Sequence, residues 1–150
     1  MKLFVILGNQ LFDPIHLKKY GCTDVYMAED LGLCTFQKHH KLKLYLFLTA
    51  MREYKDELEA AGLKVHYKKL DVCDTSNYLD TFHSFLKKKT DTVNFFEIED
   101  KPFEKLFLNL KSRNIKLIEH DSPMFLFSRK EFAEFHEGKK NFRMAPFYKY

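Results

Sequence analysis

Tryptophan is absent from this chain and cysteine is scarce, with Cys22, Cys34 and Cys73 at no CxxC spacing. An odd number of thiols so spaced implies neither a paired disulfide framework nor a zinc knuckle, and a reducing cytoplasm is the expected setting. Long hydrophobic runs are missing as well. The first apolar run, Leu3 to Leu7, stops at Gly8 and Asn9, too short for a signal segment or a membrane span, so no membrane partner is expected. Phosphate-binding glycine motifs are lacking, because Gly8 belongs to no GxGxxG pattern and no GK[ST] follows it. No Ser/His/Asp order, no paired acid and base and no HxGH signature of nucleotidyl transfer occurs, which leaves the sequence without a catalytic set. Internal repeats, low-complexity tracts and Gly/Ser linkers are also missing, so nothing in the composition marks a domain boundary.

What is present suits one packed domain. A chain of 150 residues can bury a core that needs no staples. Its 16 phenylalanines read as packing material, large flat rings that fill an interior. The net charge of +4, from 25 basic and 21 acidic residues, permits a nucleic-acid partner without demanding one. The charge is uneven, however. From Ser128 to Tyr150 the bases Arg129, Lys130, Lys139, Lys140, Arg143 and Lys149 alternate with Phe132, Phe135, Phe142, Phe147 and Tyr148. This basic, aromatic end stops abruptly, so the chain is expected to be cut from something longer.

Short runs rich in β-branched and aromatic residues predict five strands: Leu3 to Leu7, Asp24 to Met27, Lys64 to Tyr67, Thr92 to Phe96 and Ile115 to Glu119. Amphipathic stretches lie between them. The strongest, Lys41 to Ala61, places Leu44, Leu48, Met51, Tyr54 and Leu58 on one face and is closed by Gly62. Further helices are predicted over Asn77 to Lys88, Pro102 to Ser112 and Arg129 to Phe135. Alternating strands and helices imply crossover connections, so the fold class is α/β: a three-layer α/β/α Rossmann-like domain with a five-stranded, mostly parallel sheet. That domain is placed at 1–123, with 124–150 as an extension of different character.

In such sheets ligands bind at the carboxyl ends of the strands, near the point where strand order reverses. Two loops qualify. After the first strand, Gly8 lets a ligand approach the backbone, and the amides of Asn9 and Gln10 offer donors and acceptors, the alternative being a solvated strand exit. After the second, Glu29 and Asp30 could accept hydrogen bonds and Phe36 could stack on a ring, the alternative being an acidic turn paired with Lys38 or Lys41. His39 and His40 are adjacent and diverge, a poor metal pair. Lys43 could join Lys38 and Lys41 in a phosphate patch, though such runs are more often solvated. Cys34 reads as a small apolar filler, since no base stands near it in sequence.

Four segments together carry a resemblance. They are Leu7-Gly8-Asn9-Gln10-Leu11; Glu29-Asp30; His39-His40-Lys41-Leu42-Lys43 through Ala50-Met51-Arg52; and Phe125 to Phe132 with Gly138-Lys139-Lys140, Arg143-Met144 and Phe147-Tyr148. In this order the chain resembles the N-terminal domain of the deoxyribodipyrimidine photolyase-related proteins, the bacterial iron–sulfur cryptochrome/photolyase branch. The resemblance implies a Rossmann-like domain that can hold a lumazine-type antenna chromophore and is not catalytic alone. FAD, a [4Fe-4S] cluster and most DNA contacts would belong to a helical C-terminal domain, this domain's natural partner. By position, the antenna pocket would be lined by Gly8, Asn9, Gln10, the loop Ala28 to Phe36 with Glu29, Asp30, Leu33 and Cys34, and Phe47, with His40 and Lys43 as weaker candidates. Asn9 and Leu33 stand where the family often carries an acid. Phe142, Phe147 and Tyr148 would pack against the second domain. The alternative reading is a stand-alone nucleotide- or nucleic-acid-binding module of the same fold.

Overall fold

The computed structural model describes residues 2–71, 77–86, 92–113, 115–141 and 143–149. Strands β1 (Leu3–Val5), β2 (Asp24–Ala28), β3 (Lys64–Lys68), β4 (Thr92–Phe96) and β5 (Lys116–His120) form one sheet in the order β3-β2-β1-β4-β5. All four pairings are parallel, with Phe4 opposite Val25 on one side and Asn94 on the other. The chain runs outward from β1 to β3, then returns to place β4 against the free side of β1. The β1/β4 boundary is therefore where strand order reverses.

The helices are α1 (Ile15–Lys18), α2 (Leu31–Thr35), α3 (Lys41–Ala60), α4 (Tyr78–Leu86) and α5 (Lys101–Leu108), followed by a 3-10 turn at Asn109–Arg113. Alternation along the strands divides the core. Leu3, Val5, Tyr26, Val93 and Phe95 face α4 and α5, packing with Phe82, Leu86 and Phe107. Phe4, Ile6, Val25, Met27 and Phe96 face the other way, onto Leu17 of α1 and Met51, Tyr54 and Leu58 of α3. Covered on both faces, the central strands are near-continuous apolar runs, as buried parallel strands should be.

The predicted strands all form, with shifted ends. Strand β1 ends at Val5 rather than Leu7, because Leu7 O turns to accept Gln10 N at 2.9 Å instead of continuing the ladder. Helix α5 stops at Leu108 and tightens into the 3-10 turn that buries Leu110. Helix α4 is described to Leu86, and Lys87 and Lys88 of the predicted helix lie outside the described residues. Helices α1 and α2 were not predicted. Helix α2 is capped by an aspartate, Asp30 Oδ1 accepting Leu33 N at 2.8 Å, whereas α1 follows a turn in which Asp13 Oδ1 accepts Ile15 N at 2.9 Å, with Pro14 at its N-cap.

Helix α3 is closed as its sequence indicates. Gly62 takes φ +87, its N–H reaches Glu59 O at 3.0 Å and Leu63 N returns to Leu58 O at 3.0 Å. A Cβ at Gly62 would meet nothing within 4 Å, so a substitution there suffers only from backbone conformation. Gly62→Ala is expected to cost about 1 kcal/mol, read as a lower urea midpoint with an unchanged slope.

By its contacts the chain forms two units, Met1–His120 and Asp121–Tyr150. In the second, α6 (Arg129–His136) starts with a capping box in which Glu131 N donates to Ser128 Oγ at 3.2 Å and Ser128 N to Glu131 Oε2 at 2.7 Å. Its core is aromatic. Phe147, in α7 (Met144–Phe147), is buried, with ring centroids 4.8, 5.0 and 5.2 Å from Phe127, Phe132 and Phe135. The expectation that Phe147 packs on another domain is thus corrected, since it fills the core of its own unit. Tyr148 is exposed, and Phe142 lies outside the described residues.

Candidate functional site

Three strand tips and helices α2 to α5 line a cavity of about 340 Å³ over the carboxyl edge of the sheet. The tip of β1 contributes Leu7, Gly8 and Asn9, that of β2 Ala28 to Asp30, and the segment after β4 Ile98, Asp100 and Phe103. Helix α3 adds Leu44, Phe47, Leu48 and Met51, and α4 adds Tyr78. The wall is mostly apolar with a few polar groups, the pattern of small-molecule sites.

Gly8 lies where α3 comes closest: a Cβ there would sit 2.9 Å from Met51 Sδ and 3.6 Å from Phe47 Cδ1. The amides beside it have a different task from the ring clamp the sequence suggested. Gln10 is fully buried outside the cavity wall, its Nε2 donating to Glu97 O at 2.8 Å and to Glu99 Oε2 at 3.3 Å. Asn9 Nδ2 donates to the same Glu99 carboxylate at 3.1 Å, though Asn9 also faces the cavity. These bonds span the reversal between β1 and β4, where no crossover helix ties the two tips together.

Glu29 touches the wall, but its oxygens are already occupied. Oε1 accepts from Arg52 Nε at 2.7 Å and Tyr67 OH at 2.6 Å; Oε2 accepts from Arg52 Nη2 at 2.9 Å and Leu70 N at 2.8 Å. Two carboxylate oxygens offer about four acceptor sites, so none is left for a ligand. Burial alone would raise the pKa of Glu29, yet the bonds from Arg52, Tyr67 and Leu70 outweigh it and hold the carboxyl below its usual range. Glu29 joins β2, α3 and β3, and its role is to hold the site together.

Asp30 faces the cavity and caps α2. The short helix then brings Leu33, Cys34 and Phe36 to the wall, with Leu33 and Phe36 exposed at its rim. Burial, and then the charges of Asp30 and Glu29, push the Cys34 thiol pKa up, which disfavours its thiolate. Of the two histidines, His39 lines the cavity and His40 does not. His40 Nδ1 accepts Leu42 N at 3.2 Å as the cap of α3, which corrects its place in the expected pocket. Lys43, one turn on, faces the cavity. Among the described residues no group of three or more His, Cys, Asp or Glu could hold a metal ion.

The sequence reading missed a whole wall. Ile98, Asp100 and Phe103 follow β4, and the strand-order rule would have included them had the reversal been placed between β1 and β4. Leu44, Leu48 and Met51, whose spacing marks one apolar face of α3, line the cavity too, as does Tyr78 of α4.

A sequence model of the deoxyribodipyrimidine photo-lyase-related proteins matches residues 4–150. The chain belongs to this family. The photo-lyase-related chain is also similar to a (6-4) photolyase of Agrobacterium fabrum, 24% identical over 160 residues. That match takes in 99% of the chain but spans 30% of the relative's length. Among the described residues, the photo-lyase-related chain has no helix long and apolar enough to cross a membrane.

Proposed function

We propose that the cavity of this photolyase-related chain seats a flat heteroaromatic antenna of the lumazine type, and that the chain serves a light-dependent flavoprotein acting in DNA repair or blue-light sensing. The observation that carries this reading is a largely apolar cavity of about 340 Å³ at the strand reversal, walled by Leu44, Phe47, Leu48, Ile98 and Phe103. Its size falls in the range of small-ligand sites, about 300–1,000 Å³. The same wall carries Asn9, Asp30 and Lys43, polar side chains of the kind that fix a ligand's orientation.

When bound, the ring supplies light absorption and energy transfer, which are properties of the chromophore. The protein's part is binding and orientation. Apolar side chains of α3 and of the segment after β4 exclude water from the ring faces, while Asn9, Asp30 and Lys43 can fix its edges. None of this needs an acid–base pair. FAD, an iron–sulfur cluster and DNA are assigned to a partner helical domain, with which this chain would act in the cytoplasm.

The test is an absorbance spectrum of the purified chain with mass analysis of what it releases on denaturation. A lumazine-type ring in the extract is the expected result, and a nucleotide there would instead favour a nucleotide-binding module.

A further inference from the structure

Helix α3 covers the sheet with one face and turns another to solvent, and the outward face changes character along its length. Towards the N-terminus it carries Leu42, Tyr45 and Leu46, which are 64%, 71% and 67% exposed. Towards the C-terminus it carries Glu53 and Asp56, the polar residues expected along the whole outer face of a helix that only covers a core. Three large apolar side chains standing together within two turns differ from the scattered exposed ones usual on a surface. None of the three lines the cavity, so their role is independent of the ligand reading.

The charges of the helix are set against its own dipole. A helix N-terminus favours acids and a C-terminus favours bases, yet the first turn of α3 has no acid and the last turn no base. Lys38, Lys41 and Lys43 stand at its start, and Asp56, Glu57 and Glu59 towards its end. Little inside the chain offsets this, because Arg52 is committed to Glu29, and Lys55 to Asp56 and Glu59. Lys41 and Glu53 have no ion pair among the described residues. Such a face complements itself in one direction only. Two copies laid parallel oppose lysine to lysine, whereas two laid antiparallel bring the basic end of each to the acidic half of the other.

We propose that α3 joins two copies of this chain in a two-fold dimer, its outward face packed antiparallel on the same face of the second copy. Centred between Leu46 and Thr49, the pairing lays Tyr45 and Leu46 on the small Thr49 and Ala50 of the second copy and sets Lys41 beside its Glu53. The two-fold axis makes each contact twice. Each helix end then receives the opposite charge that its own sequence withholds. One helix face is a small interface, so the dimer is of the transient class and forms at high chain concentration.

Sedimentation equilibrium over chain concentrations from about 1 μM to 1 mM, the range of weak complexes, tests this. The mass is expected to rise from 18.0 kDa to twice that value. Leu46→Glu sets two carboxylates into the apolar centre and should weaken association about tenfold or more, while the thermal midpoint of the dilute chain stays unchanged. Lys41→Glu and Glu53→Lys each turn two attractions into repulsions and should each weaken association about tenfold. The double variant restores opposite charges and should recover the wild-type mass profile. A single-chain mass throughout, association untouched by Leu46→Glu, or a double variant no better than the single ones would overturn the antiparallel pairing.

Discussion

Glu29→Gln is expected to lower the stability of the α/β unit by about 2–4 kcal/mol, far more than an exposed ion pair would account for. The Glu29 side chain is 0% exposed and Arg52 is 52% exposed, so the guanidinium partly keeps its water and the Coulomb part of the loss is modest. The larger part comes from the other donors. Glutamine places an N–H₂ where one carboxylate oxygen stood, so it confronts either the Tyr67 hydroxyl and Arg52 Nε or the Leu70 amide and Arg52 Nη2, donor against donor. The effect should also depend on pH in one direction. The folded pKa of Glu29 is lowered from 4.5, so its contribution is complete above about pH 4.5 and disappears as pH falls through the folded value. Urea unfolding of both proteins should therefore show a constant gap near neutrality that narrows in acid. A gap that stayed constant down to the acid end would mean that the carboxylate charge is not what holds β2, α3 and β3 together.

Leu44→Trp is expected to reduce binding of lumazine about 100-fold, equivalent to about 2.7 kcal/mol. Leu44 lines the cavity from the second turn of α3 and is only half-buried, so the larger ring can be accommodated at the mouth without disturbing Met51, Tyr54 and Leu58 beneath. Within a space of about 340 Å³, an added indole competes directly with a bicyclic ligand. Leu46→Trp is the matched control, because Leu46 lies on the same helix, is 67% exposed and does not line the cavity. Equal losses in both variants would indicate that the helix surface binds the ring.

Much of this arrangement can be read from residue order, and the misreadings share a cause. The five strands and α3 follow from local patterns, β-branched runs and three- and four-residue spacing, which depend on near neighbours alone. Helix α2 was hidden because Leu31-Gly32-Leu33-Cys34-Thr35 has weak helix propensity, and only the Asp30 cap starts it. Glu29 looked like a free acceptor because its partners stand 23, 38 and 41 residues away, brought to it by the packing of α3 and the pairing of β3. Gln10 misled in the same way, its partners being 87 and 89 residues distant across the strand reversal. The wall after β4 went unnoticed since Ile98 and Phe103 have the composition of core, and only the strand order reveals that they border a space.

Amide chemical-shift mapping of the isotopically labelled chain during addition of lumazine tests the central claim most directly. The shifts should gather at Gly8, Asp30, Cys34, Leu48 and Phe103, residues from four separate segments that only the folded cavity unites, and should leave the helix Arg129–His136 unmoved. Shifts confined to the basic residues after Ser128, or none at saturating ligand, would contradict it.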